Sequence, residues 1–262
     1  MDDSSVVQGQ IIYEVDCRGP EFPWAEVPWD AEFPKVIIEC REQGTVSIEI
    51  TCITSRDAAK TRVAANAIVE RIIRELALQL SCSMGRPVEG FSDIPYVDAH
   101  GTLKRSVSKS ATIRWGGSAS NRWNPSVTSL QDVVVAARDT KSLQRDLDLE
   151  LYRSATASID LAARFIPLYT TLQKITGNGN QDDLDDWICT TGTMHVMPKP
   201  PERQNNHRTT ETDFTRVRSL LGHVRTGHTS FSPVLDEARR LAIPLQQLIA
   251  KAIGQKYKAK SP

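Results

Sequence analysis

The chain has 262 residues, 40% hydrophobic, 24% charged and 6% aromatic, which is enough for one or two domains with cores of their own. Lys and Arg total 32 and so do Asp and Glu, so the formal net charge is zero and the overall basic surface of many nucleic-acid binders is absent. No apolar run reaches the length of a membrane span, and the acidic start Met1-Asp2-Asp3 does not read as a secretory signal. The five cysteines lack C-x-x-C spacing and predict reduced thiols in a cytoplasmic chain rather than a zinc ribbon or a disulfide framework.

Residues 1–34 carry Asp2, Asp3, Glu14, Asp16, Glu21, Glu26, Asp30 and Glu32 against Arg18 alone, so the chain opens as an acidic arm. Within it, residues 10–15 are a β-branched run that predicts a strand. The following stretch, with Pro20, Pro23, Pro28, Pro34, Trp24 and Trp29, reads as an ordered loop. Residues 35–40 predict a second strand and residues 45–51, alternating apolar and polar, a half-buried third, with a hairpin at Gly44. Ser55 is expected to N-cap a long helix whose stripe Ala64, Ile68, Ile72, Leu76 and Leu80 repeats every four residues until Gly85 and Pro87 stop it. A further strand is expected over residues 107–115, followed by Gly116-Gly117 and a polar loop to Pro125. Between Asp98 and Asp132 there is no acid, while Lys104, Arg105, Lys109, Arg114 and Arg122 make this stretch basic.

From residue 130 onward the pattern is helical. Residues 130–140 hold Val133, Val134 and Val135. A longer pattern starts near Ser142 with Leu143, Leu147 and Leu151, and Ile159, Ala163, Ile166 and Thr170 continue it through Pro167, which should kink it. Gly177-Asn178-Gly179-Asn180 is a turn. Residues 182–189 predict a short helix whose Asp182, Asp183, Asp185 and Asp186 favour its positive end. After a Pro/Asn-rich loop over residues 197–208, the last helices are expected over 210–225 and 231–256. Thr210 and Asp213 approximate a capping box at the first of them. From Lys199 on, twelve basic residues face five acidic ones. The fold predicted is an α+β N-terminal domain over residues 1–135, then an all-α helical bundle over residues 140–258.

The common catalytic fingerprints are absent: there is no G-x-G-x-x-G after a strand, no P-loop, no H-E-x-x-H and no G-x-S-x-G. His223 and His228 flank Gly227 without a helpfully spaced third ligand, so no metal and no cofactor is expected. The informative stretch is 211–227, where four residues separate Arg218 from His223, Ser219 follows the arginine directly, and Arg216 and Arg225 stand on either side. Before it come Ala163-Arg-Phe-Ile-Pro-Leu168-Tyr169-Thr-Thr-Leu172, a Gly/Asn turn and Asp185-Asp-Trp-Ile188. After it come a Gly turn with His228 and a long closing helix.

This order resembles the HEPN-like superfamily of helical domains, with their R-x(4–6)-H signature, over about residues 140–256. The likeness includes the bacterial group labelled with methylamine utilisation, in which "F-x-x-L-Y-x-x-L" precedes a final "R-x-R-N-x-x-x-H"; here Ser219 replaces the commoner Asn. Leu80-Ser81 to Pro87 is a looser match to their "L-S-x-x-x-x-x-P". The resemblance implies metal-independent RNA cleavage by 2′-hydroxyl attack, leaving a 2′,3′-cyclic phosphate, at a site shared by the two protomers of a homodimer. Arg218, His223 and Ser219 would be its catalytic residues. The bare residue types fit that chemistry: His exchanges protons near neutral pH, and Arg offers a permanently charged fork to phosphate oxygens. Arg216, Arg225, Lys104, Arg105 and Lys109 are the expected contacts to the RNA backbone. The substrate would be single-stranded RNA or tRNA, in a toxin or phage-defence setting with an antitoxin or defence partner. The alternative is a non-catalytic HEPN-like binding or scaffolding module, including an accessory role in amine metabolism, in which the Arg-His pair only holds a dimer together.

Overall fold

The computed structural model describes residues 7–18, 24–41, 44–80, 82–110, 127–139, 142–158, 160–191, 197–198, 210–223 and 231–258. The chain forms two compact units, Met1–Ser142 and Leu143–Pro262. The first is an antiparallel sheet with helices, the second is built mainly of helices.

In the first unit the strands are β1 (Gln8–Arg18), β2 (Ala25–Val27), β3 (Lys35–Arg41), β4 (Thr45–Ile53), β5 (Ser83–Met84), β6 (Val88–Val97) and β7 (Leu103–Lys109). The helices are α1 (Ala58–Gln79) and α2 (Val127–Asp139). The strand order is β2-β3-β4-β1-β6-β7, with β5 pairing the end of β1. Alternation sets the faces: Ile11, Tyr13 and Val15 of β1 are buried and lie opposite Ile50, Ile48 and Val46 of β4. Val36 and Ile38 of β3 extend the same face. On it lies α1, whose Arg62 reaches Ser92, the residue paired with Ile11, and whose Ile68, Ile72, Ile73 and Leu76 are buried. Each such side chain contributes about 1.5–3 kcal/mol by leaving water. Against α1 and β2 packs α2.

The strands expected at 10–15, 35–40 and 45–51 and the hairpin at Gly44 are present, Gly44 taking a left-handed φ of 72°. Other expectations need correction. The segment read as loop contains β2, a three-residue strand at the edge of the sheet among the described residues, which stops before Pro28. The cap of α1 is Asp57, not Ser55: Asp57 Oδ1 accepts from the Ala59 and Lys60 amides, and the Ser55 hydroxyl accepts from the Asp57 amide. The helix ends at Gln79, before Gly85 and Pro87, because the chain must turn back into β5 beside β1. The whole of β6 escaped the sequence reading, and β7 starts four residues before the expected strand, whose part from 111 to 115 lies outside the described residues together with the Gly116-Gly117 loop.

Under α1 a polar cluster ties helix to sheet. The Ser108 hydroxyl donates to Glu89 (2.7 Å) and meets Ser92 (2.9 Å), while Arg62 bridges Glu89 and Ser92. Burial raises the Glu89 carboxyl, but the Ser108 and Ser92 hydroxyls and the Arg62 guanidinium outweigh it and hold Glu89 below the ordinary range. A depressed carboxylate stabilises the fold fully above its unfolded pKa of about 4.3 and loses this as pH falls through the lower folded value. Urea midpoints should therefore separate wild type from Glu89→Gln at pH 7 and draw together as pH falls below about 4. A constant gap across that window would show that Glu89 carries no linked proton.

In the second unit are α3 (Leu143–Thr156), α4 (Leu161–Thr176), α5 (Gln181–Thr191), α6 (Asp213–His223) and α7 (Phe231–Lys258). Its centre is α4 against α7, burying Phe165, Leu168 and Leu172 with Leu241, Leu245 and Ile249. The expected continuous helix through Pro167 is two: the chain leaves helical form after Thr156, and Asp160 caps α4 by accepting from the Ala162 amide. Gly177 ends α4 at φ 73°, so the predicted turn is there. The unit is not purely helical, since β8 (Met197–Pro198) and β9 (Thr210–Glu211) pair as a short ribbon. That ribbon occupies Thr210, so α6 starts later, at Asp213, behind Thr212. Most of the predicted 197–208 loop lies outside the described residues.

Candidate functional site

Arg216, Arg218, Ser219 and His223 all lie on α6. Its entry is fixed by a buried network. Asp185 of α5 is fully buried and accepts from the Thr212 hydroxyl (2.6 Å), the Thr215 hydroxyl (2.7 Å) and the Thr212 amide (3.3 Å). Thr212 in turn acts as the cap, its hydroxyl oxygen accepting from the Thr215 amide. Thr215 has spent its proton on Asp185, so the Tyr169 hydroxyl of α4 donates to it across 2.8 Å. Burial, with the Asp185 charge nearby, pushes the Tyr169 phenol up to about 12, which keeps it a donor at every physiological pH.

Sequence reasoning missed this network. It grouped Asp185 with Asp182, Asp183 and Asp186 as helix-start charges. The available signal was periodicity, because Asp185 shares the buried face of α5 with Leu184 and Ile188.

One turn on, the two arginines of the motif part company. Arg216 is half-buried, contacts Glu237 of α7 closely and lies 3.4 Å from Asp213. Arg240 joins the same acids, at 3.3 Å from Glu237 and 3.8 Å from Asp213. Arg216 thus fastens α6 to α7. Arg218 is exposed and makes no ion pair among the described residues. Ser219 beside it is half-buried, and His223 is the last residue of α6. Five residues of helix put Arg218 and His223 about 140° and about 7.5 Å apart along the axis. A single straight α6 does not aim both at one atom.

Among the apolar residues of α6, Val217 is fully buried in its own unit, and Leu220 and Leu221 are half-buried. Arg225, Val224 and His228 lie outside the described residues.

The remaining basic residues sit in the first unit, on β7. Lys104 is paired with Asp98 at 2.7 Å and Arg105 with Asp93 of β6, while Lys109 is exposed without an ion pair among the described residues. Among the described residues no group of three or more His, Cys, Asp or Glu is placed to hold a metal ion, and all five cysteines are free thiols. No described helix is long and apolar enough to cross a membrane. No protein-family model, no curated protein and no solved structure matches the chain.

Proposed function

We propose that the helical unit is a metal-independent ribonuclease of the HEPN type, acting on single-stranded RNA through Arg218 and His223. The observation that carries the reading is the opposite treatment of two arginines two residues apart. Arg216 is consumed by Glu237 and Asp213, whereas Arg218 is left exposed and unpaired among the described residues, five positions before a histidine that ends the helix. A guanidinium without an ion pair among the described residues, on the same helix as a histidine, supplies the residue types that phosphodiester cleavage needs.

In the proposed reaction an imidazole takes the proton of a ribose 2′-hydroxyl. The 2′-oxygen bonds to phosphorus, and the bond to the 5′-oxygen breaks as that oxygen receives a proton from an acid. Arg218 neutralises the charge gathering on the non-bridging oxygens. The products are a 2′,3′-cyclic phosphate and a 5′-hydroxyl end. The angle between Arg218 and His223 on one helix supports a composite site in which a second copy supplies the complementary group, hence a homodimer. Unpaired RNA is the substrate of choice because its backbone can bring the 2′-oxygen in line with the leaving oxygen.

The test is incubation of mixed cellular RNA in EDTA with the purified chain and with an identically purified His223→Ala chain. Cleavage by the first alone, ending in cyclic phosphates, is expected. Equal background from both overturns the reading, and RNA retained without cleavage by either chain would assign the unit to the binding class instead.

A further inference from the structure

A cavity of about 760 Å³ opens in the first unit where three stretches of chain meet: the turn before β3, the passage from β4 into α1, and the end of β6. Hydrogen bonds pin all three. Asp30 accepts from the amides of Glu32 (3.0 Å) and Phe33 (2.8 Å), and the Ile53 amide donates to the Glu32 carbonyl. Ser55 is fastened to β6 twice, its amide donating to the Pro95 carbonyl and its carbonyl accepting from the Val97 amide. Pre-formed cavities of this size are where proteins seat small ligands.

The groups left unspent around the cavity define what it can hold. Arg56, Lys60 and Glu32 all line it, and none of them has an ion pair among the described residues. The Ser55 hydroxyl oxygen accepts from the Thr61 hydroxyl (2.8 Å) and from the Asp57 amide (3.3 Å), while its own proton has no acceptor among the described residues. The Ala59 and Lys60 amides of α1 are not on offer, because the Asp57 carboxylate takes them. Phe33, which is buried, and the half-buried Ile53, Ala64 and Val97 give the lining an apolar surface. A guanidinium, an ammonium and a hydroxyl donor suit a carboxylate. A polyanion would meet two carboxylates in the same lining, Glu32 and Asp57, whereas a ligand that also carries an ammonium gives Glu32 a partner. We propose that this cavity binds a small zwitterion with an apolar body, an apolar α-amino acid or a short peptide of such residues. Its carboxylate is taken by Arg56, Lys60 and the Ser55 hydroxyl, its ammonium by Glu32, and its side chain by the apolar surface. No residue of the helical unit takes part, so the site does not depend on the ribonuclease reading.

The experiment is calorimetric titration of the full chain with L-leucine and with L-leucyl-L-leucine. Each is run beside its N-acetylated form, which lacks the ammonium, and its C-terminal amide, which lacks the carboxylate. At least one parent compound should bind, and which one does distinguishes a free amino acid from a peptide. Both capped forms should bind on the order of ten-fold more weakly, the scale of one lost hydrogen bond to a charged group. Glu32→Gln should weaken the parent by a similar factor and leave the N-acetylated form unchanged, whereas Arg56→Ala should weaken both alike. Both side chains are exposed, so these two variants should fold as wild type does. Ala64→Phe, which fills the cavity, should abolish binding with the circular dichroism melt in place. Failure of both parents to bind at about 10 mM overturns the proposal. So does an N-acetylated form that binds as tightly as its parent, which would make this a plain anion site, or a parent whose binding survives Glu32→Gln and Arg56→Ala unchanged.

Discussion

Arg218→Ala should lower metal-independent RNA cleavage on the order of 10²-fold or more, the scale for removing one donor from a developing oxyanion. Its stability should stay within about 0.5 kcal/mol of wild type, because the side chain is exposed and makes no ion pair among the described residues. Arg218→Lys should recover only part of the rate, since a lysine keeps the charge but loses the planar fork. His223→Ala removes the proposed proton-transfer group and should be inactive, whereas Ser219→Ala, losing a hydroxyl proposed to orient rather than to transfer protons, should be milder. Arg216→Ala sharpens the contrast. It breaks the contacts to Glu237 and Asp213, so its melting temperature should fall first, with any loss of activity following from unfolding. Single-turnover rates measured beside thermal melts separate the two classes. A full rate from Arg218→Ala would sink its assignment to the phosphate.

The second large effect is on stability. Asp185→Ala should cost about 3 kcal/mol or more, because three donors converge on that carboxylate inside the unit, and hydrogen bonds to charged groups are worth about 1.5–3 kcal/mol each. The penalty is large because the Thr212 amide and both threonine hydroxyls would be left buried without an acceptor. Asp185→Asn should fall between the two, keeping one acceptor oxygen and placing an amide donor against another donor. Tyr169→Phe removes one neutral bond and should cost about 1 kcal/mol. Urea denaturation at pH 7 measures all three. If Asp185→Ala costs under about 1 kcal/mol, the network does not anchor α6.

What could be read from the residues depended on whether the cause was local. The alternation in 45–51 and the four-residue stripe from Ala64 to Leu80 state their structures outright, because period alone selects strand or helix. Gly90 and Pro95 disguised β6, although Pro95 sits where its missing N–H is not required by the β6–β7 ladder. The choice of Asp57 over Ser55 as cap turned on two residues, finer than propensity resolves. At the candidate site, the Arg218–His223 spacing was visible, but the division of labour between Arg216 and Arg218 was not. It depends on Glu237, which comes from a different helix and meets Arg216 only after α6 and α7 have packed. Asp185 was hidden for the same reason, its partners being 27 and 30 residues downstream.

The central position of β1 in its sheet bears on the order in which the molecule is made. Gln8 pairs with Ile53 and Gln10 with both Thr51 and Asp93, so this strand waits for partners synthesised long after it. The β3–β4 hairpin closes across Gly44 and needs no distant chain, so it should form early on the ribosome and serve as the template onto which β1 adds. Only when β6 emerges can the other side of β1 be satisfied, and until then Ile11 and Val15 belong to an unfinished surface open to chaperones and to aggregation. In the helical unit α4 waits in the same way for α7. Slowing synthesis across residues 54–97 should therefore lower the yield of soluble protein by holding β1 open before β6 arrives.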